Sequence, residues 1–221
     1  MPLKYKKKIN QDVLLGIWEI TESENELLRN INLKEKEKDF FKSLKNSTRR
    51  KHWLSYRNII NSFLKNNDTE IYYDENLKPH FLNLDYNFSV SHSGDFAAVI
   101  LSKKNKVGID IEQINPRVKK VITKFLNDYE IKNFNSEENI SIEKLYVYWC
   151  AKESLLKLYG KKNLDFKKNI IIQDFDYNKN TDINLLSGEI KADFKAGDYK
   201  GEYILNYTKL INYMLVYVVE N

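Results

Sequence analysis

The chain has 221 residues, 42% of them hydrophobic and 30% charged, which excludes a disordered chain and suits one large domain or two small packed ones. Lys and Arg total 36 against 31 Asp and Glu, and the resulting charge of +5 is too weak by itself to mark a nucleic-acid binder. No apolar run exceeds the seven residues of 145–151, too short to span a membrane, the first twenty residues lack a signal-peptide pattern, and one cysteine, Cys150, excludes a disulfide framework. A cytoplasmic monomer with no membrane or nucleic-acid partner is the expectation from these features.

Residues 13–20 form an apolar, β-rich run that reads as a buried strand. Ser23 with Glu26 three residues on is a capping box opening a short helix. Residues 34–46 read as a charged surface helix. Ser47 and Thr48 offer a cap for a helix over 49–65, whose Trp53, Tyr56, Ile60 and Leu64 recur at helical spacing. From 68 onward, short runs at 71–73, 88–91, 96–101 and 107–112 read as strands, the last two joined as a hairpin through residues 103–106. Helices are expected at 117–134 and 141–159, and strands at 169–173, 203–207 and 214–219. This order gives an α+β chain of two subdomains, residues 1–105 and 106–221, each too small to bury much alone.

The chemistry-bearing residues begin with the strand 107–112. Val107, Ile109 and Ile111 alternate with Gly108, Asp110 and Glu112, so the two acids share one face, with glycine beside them leaving room for close approach. On the following helix, Ile142, Leu145, Tyr146, Trp149 and Leu156 form an apolar stripe, and stepping along it by three and four lands on Glu153. A carboxylate turned toward a core must be neutralised, paired or bound to a metal. Two readings follow: a solvated acidic strand face with an intrahelical Glu153–Lys157 salt bridge, or three oxygen ligands (Asp110, Glu112 and Glu153) around a hard cation. Mg²⁺ suits that donor set, with Mn²⁺ an alternative. Zn²⁺ is disfavoured by one Cys and three His.

Arginine is scarce in this lysine-rich chain, yet three of its five arginines, Arg49, Arg50 and Arg57, fall within nine residues. Arg50 and Arg57 lie two helical turns apart, on the face that carries Trp53, and guanidinium groups match phosphate oxygens in a forked geometry. Lys78 and Pro79 follow a turn-like stretch. His92 sits in Ser91-His92-Ser93-Gly94, where a small polar turn would expose it and let backbone approach an anion. There is no G-x-G-x-x-G, no Walker loop and no G-x-S-x-G elbow.

Together, FSVSHSG (88–94), VGIDIE (107–112) and WCAKESLLK (149–157) resemble the signature blocks of the 4′-phosphopantetheinyl transferases, of the larger single-chain Sfp type. RRKHWLSYR (49–57) is similar to the family's arginine-bearing helix and LKP (77–79) to its G-K-P turn, with Leu77 standing in place of glycine. The resemblance implies a pseudo-dimer of two similar α+β subdomains with a cleft between them as the active site. It implies that Asp110, Glu112 and Glu153 hold Mg²⁺ against the diphosphate of coenzyme A, the substrate. It also places His92 and Lys157 on that diphosphate, with Ser91 and Ser93 beside His92. Lys78, Pro79, Arg50, Lys51 and Arg57 are then the contacts to the rest of coenzyme A, chiefly its 3′-phosphate. In this resemblance Lys51 stands where the family has arginine at one phosphate-contacting position.

The implied reaction moves 4′-phosphopantetheine onto a serine of an acyl or peptidyl carrier protein, with Glu153 as proton acceptor and Lys157 and His92 offsetting charge on the leaving group. A metal-dependent phosphoesterase or nuclease also uses paired carboxylates with a lysine, although Ile114 occupies the position where nucleases place that lysine. A non-catalytic adaptor binding acidic carriers through its basic surface is the third reading.

Overall fold

The structure, a computed structural model, describes residues 3–65, 68–135, 141–177, 186–197 and 199–220. The chain divides into two compact units, Met1–Val107 and Gly108–Asn221. Both mix helices with antiparallel strands, so the fold class is α+β.

In the first unit the stretch Leu3–Lys8 (β1), lysine-rich and without a strand signal, pairs with Val13–Glu19 (β2). It takes a sheet edge, where outward lysines stay hydrated and block further pairing. Three helices follow: Glu24–Leu28 (α1), opened by the Ser23/Glu26 capping box, Glu35–Ser43 (α2) and Ser47–Leu64 (α3). The cap of α3 is Asn46, whose side chain accepts from Arg49 N, so Ser47 lies inside the helix instead of capping it. Then come Ile71–Tyr73 (β3) and Pro79–Phe81 (β4), paired with each other, and Asn87–Ser93 (β5) and Phe96–Ser102 (β6). The main sheet runs β1-β2-β6-β5, and α3 packs on β2 and β6. Gly16 of β2 permits this packing, since a Cβ there would stand 2.6 Å from the Phe63 ring and 2.7 Å from Ile59.

Strand β6 is buried at every position and takes both of its partners, β2 and β5, from the first unit's sheet. The expected hairpin between 96–101 and 107–112 therefore does not form. The hairpin is β5–β6 instead, with Ser93 opposite Phe96 and the two-residue turn Gly94-Asp95 between them. Gly94, at φ +53°, supplies the left-handed conformation that such a turn needs.

In the second unit Val107–Gln113 (β7) joins a five-stranded sheet of order β7-β11-β10-β9-β8. The expected helix 117–134 is broken into a 3₁₀ turn, Pro116–Val121, and two short helices, Ile122–Phe125 (α4) and Asp128–Asn135 (α5). Asn127 explains the break: its side chain accepts from Glu130 N while Glu130 accepts from Asn127 N, a reciprocal cap that starts a new helix. Ile142–Tyr159 (α6) is the long helix, followed by Phe166–Asn169 (α7), Ile170–Ile172 (β8), Ser187–Ala196 (β9), Tyr199–Leu210 (β10) and Tyr213–Val219 (β11). Helix α6 lies on β11 and is also contacted by the 3₁₀ turn and β8. Covered on several sides, it buries Leu145, Tyr148, Ala151, Leu155 and Leu158, while Ile142, Trp149 and Leu156 of the expected stripe are only half-buried. No helix among the described residues is long and apolar enough to cross a membrane.

Candidate functional site

Gly108 sets the geometry of the acidic cluster. A Cβ at this position would stand 2.0 Å from the carbonyl oxygen of Ser154, so the space beside β7 is filled by the backbone of α6. Ser154 reinforces the contact by donating to Val216 O of β11 at 2.9 Å. This close approach brings the acids of β7 to the helical turn that carries Glu153 and Lys157.

Asp110 is buried, Glu112 and Glu153 are half-buried, and all three belong to the second unit. Burial first, then the charges of Asp110 and Glu112, push the Glu153 carboxyl up from its ordinary 4.5 to about 7, with Lys157 pulling the other way. Lys157 Nζ lies 2.8 Å from Asp110 Oδ1. The intrahelical Glu153–Lys157 salt bridge therefore does not form: the ammonium group crosses to the strand. Cys150, on the same helix and fully buried, has its thiol pushed well up by burial and by the two strand acids. It is an inert packing group at this site.

As the side chains are placed, no three His, Cys, Asp or Glu residues among those described stand close enough to grip a metal ion. The donor set nevertheless fits a hard divalent cation. It is made of carboxylate oxygens, burial and then the charges of the two strand acids raise the proton affinity of Glu153, and Lys157 already marks where positive charge is favoured. Asp110, Glu112 and Glu153 are the residues that would hold the ion.

The expected phosphate-contacting residues lie in the first unit, in varied states. His92 is on strand β5, not in a turn, and its side chain is exposed while its neighbour Ser91 is buried and Ser93 half-buried. Its ring stacks on that of His52, centroids 4.3 Å apart. Lys78 and Pro79 follow a loop held by Asp74, whose Oδ1 accepts from Asn76 N and Lys78 N at 2.9 Å each. Leu77, at φ +67°, takes up there the left-handed conformation that glycine adopts freely.

Arg50 donates Nε to Glu24 at 2.7 Å and Nη1 to Leu44 O at 2.8 Å, and Lys51 beside it is half-buried. Arg57 is only 2% exposed. It pairs with the buried Glu37 of α2 and lies 4.4 Å from the Trp53 ring centroid. Glu37 also accepts from Ile71 N, so this pair ties α2, α3 and β3 together. The Arg57 guanidinium is thus closed away from any ligand, because the same stripe that carries Trp53 and Tyr56 turns it inward.

Sequence reasoning passed over Lys152, next to Glu153. Lys152 and Glu130 are fully buried and paired at 2.8 Å. Lys152 also donates to Phe166 O and Ile170 O, while Glu130 accepts from Ile172 N and Asn127 N. The pair locks α5 and the segment entering β8 onto α6. The available signal is positional: Lys152 falls on the 145/148/152/155 stripe, where a lysine demands a buried partner.

Residues 106–208 match the family model of the 4′-phosphopantetheinyl transferase superfamily. Over 96 residues the chain is 33% identical to a Haemophilus influenzae protein provisionally named a 4′-phosphopantetheinyl transferase, covering 42% of this chain and 41% of that protein. Over 118 residues it is 31% identical to 4′-phosphopantetheinyl transferase AcpT of Escherichia coli, covering 51% of this chain and 59% of the relative. The matched stretches thus span roughly half the length of these relatives. The family-model match over residues 106–208 includes β7 and α6, the two elements that carry the acids and Lys157. The segment that resembles the 4′-phosphopantetheinyl transferase superfamily, residues 106–208, makes up most of the second unit.

Proposed function

We propose that the protein transfers the 4′-phosphopantetheine group of coenzyme A to a serine hydroxyl of an apo acyl or peptidyl carrier protein, releasing adenosine 3′,5′-bisphosphate, with Mg²⁺ as cofactor. Support comes from the family match of the second unit and above all from one observation. Burial, with the charges of Asp110 and Glu112 on one strand face, raises the Glu153 carboxyl to about 7, beside a lysine already drawn to Asp110.

In this reading Asp110, Glu112 and Glu153 hold the cation. When bound, Mg²⁺ would neutralise the diphosphate and polarise its phosphoryl oxygens. The serine oxygen attacks the β-phosphorus in line, and the bond from that phosphorus to the bridging oxygen breaks. The hydroxyl proton passes to a carboxylate oxygen of Glu153, a group whose proton affinity sits near working pH. Lys157 offsets charge on the departing phosphate, held at its post by Asp110. The family resemblance further assigns the diphosphate to His92, flanked by Ser91 and Ser93, and the 3′-phosphate to Lys78, Arg50 and Lys51. Arg57, closed inside its ion pair with Glu37, has no part in this set.

Intact-mass analysis of candidate apo-carriers mixed with the protein, coenzyme A and Mg²⁺ tests the proposal. A mass gain of one phosphopantetheine arm, lost when Mg²⁺ is chelated, is the expected outcome. Hydrolysis of DNA, RNA or coenzyme A alone, with no carrier modified, would favour a phosphoesterase. Carrier binding without mass gain would favour an adaptor.

A further inference from the structure

His52 was not among the residues that the sequence singled out, yet the fold gives it two contacts at one place. It projects from α3, is 7% exposed, and directs Nε2 at the carbonyl oxygen of Gly94 at 2.8 Å. A carbonyl only accepts, so Nε2 carries the proton of this bond. The bond pins the Gly94-Asp95 turn of the β5–β6 hairpin, one residue beyond Ser93. With the edge of its ring fixed in this way, His52 presents its face to His92, centroids 4.3 Å apart and planes inclined by 13°.

This arrangement differs from ordinary core packing. His92 lies on the α3-facing side of β5, in line with Phe88 and Val90, yet its side chain is exposed, whereas the ring it stacks on is buried and hydrogen-bonded to backbone. An exposed imidazole on a strand is free to rotate about χ1 and χ2. One laid flat on a fixed ring has that freedom removed, and its nitrogens point in set directions. Gly94 is part of the same device, because its carbonyl position depends on the φ of +53° that the turn adopts.

We infer that His52 is a positioning residue: by stacking on His92 it holds that imidazole ready for the diphosphate of coenzyme A. The inference rests on the proposed function, which puts His92 on the diphosphate, and adds the residue that orients it. Preorganisation of this kind lowers the cost of binding without adding a contact to the ligand.

A double-mutant cycle read as the KM for coenzyme A and the KM for carrier, with melting temperatures recorded in parallel, tests this. His52→Ala should raise the KM for coenzyme A about fivefold, the scale of a lost ring pair, and leave the KM for carrier unchanged. In a His92→Ala background the same change should add nothing further, because no ring remains to orient. His52→Phe, which keeps the stack and loses the hydrogen bond, should restore most of the affinity and serves if His52→Ala fails to fold. Equal losses in both backgrounds, or a KM that follows the melting temperature alone, would overturn the inference. His92→Ala with an unchanged KM for coenzyme A would instead overturn the reading of the site on which it rests.

Discussion

Lys157 of α6 reaches Asp110 of β7 at 2.8 Å, although Glu153 lies only one turn away on its own helix. The strand acid wins because it is the more deeply buried carboxylate and has the greater need of a counter-charge. The pair fixes a lysine and an acid in one small region and leaves Glu153 under the combined field of both strand acids.

Asp110→Asn keeps the side chain's shape and removes its charge. Transfer should fall by at least about a hundredfold, as expected when a ligating carboxylate is lost. Lys157 is 29% exposed and can turn to water, so the melting temperature should stay within a few degrees of wild type. Turnover and thermal melts of the same preparation measure both effects.

Glu153 makes stability depend on pH in a direction set by its raised pKa. Between its ordinary 4.5 and about 7 the folded protein holds a proton that the unfolded chain releases. The stabilisation is complete below 4.5 and is lost as pH rises through about 7, an effect on the order of 2–3 kcal/mol. In chelator, Glu153→Gln should therefore gain on wild type as pH rises from 4.5 to 8, in denaturant unfolding. Added Mg²⁺ should erase most of that difference. A difference that does not vary with pH would refute the assignment.

How much of this was legible in the sequence differs by element. The alternation over 107–112 puts Asp110 and Glu112 on one face, and the α6 residues over 141–159 form a helix as their periodicity requires. The partner of β7 was not legible. Its neighbour in the sheet, β11, lies about a hundred residues along the chain, while the nearby β6 already has both edges filled. Strand β1 was hidden by its lysines, which suit an edge but give no apolar alternation. Gly108 was legible as a point of close approach, though what approaches is the α6 backbone. Arg57 and Lys152 sit at apolar stripes that call for partners, and only tertiary packing reveals Glu37 and Glu130 as those partners.

The Lys152–Glu130 pair predicts an asymmetric mutational response. Lys152→Met strands the Glu130 charge in a dry interior and should cost about 3–5 kcal/mol in denaturant unfolding. Adding Glu130→Gln should recover part of that loss, since an amide oxygen can still accept from Ile172 N or Asn127 N without a buried charge. A double variant less stable than Lys152→Met would contradict this account.

Leu77 holds a left-handed conformation at φ +67° with its side chain 71% exposed, so it has backbone strain and little packing to offset it. Leu77→Gly should raise stability by about 1 kcal/mol. The loop is retained by the hydrogen bonds of Asp74, so the KM for coenzyme A should not rise. Thermal melts and coenzyme A titrations check the two halves of this expectation.

The proposal that Asp110, Glu112 and Glu153 hold one cation is tested most directly by calorimetric titration of Mg²⁺ into the protein with coenzyme A present. One ion per chain is predicted, with binding strongly weakened in both Asp110→Asn and Glu153→Gln. Undiminished Mg²⁺ binding in those two folded variants would contradict the account.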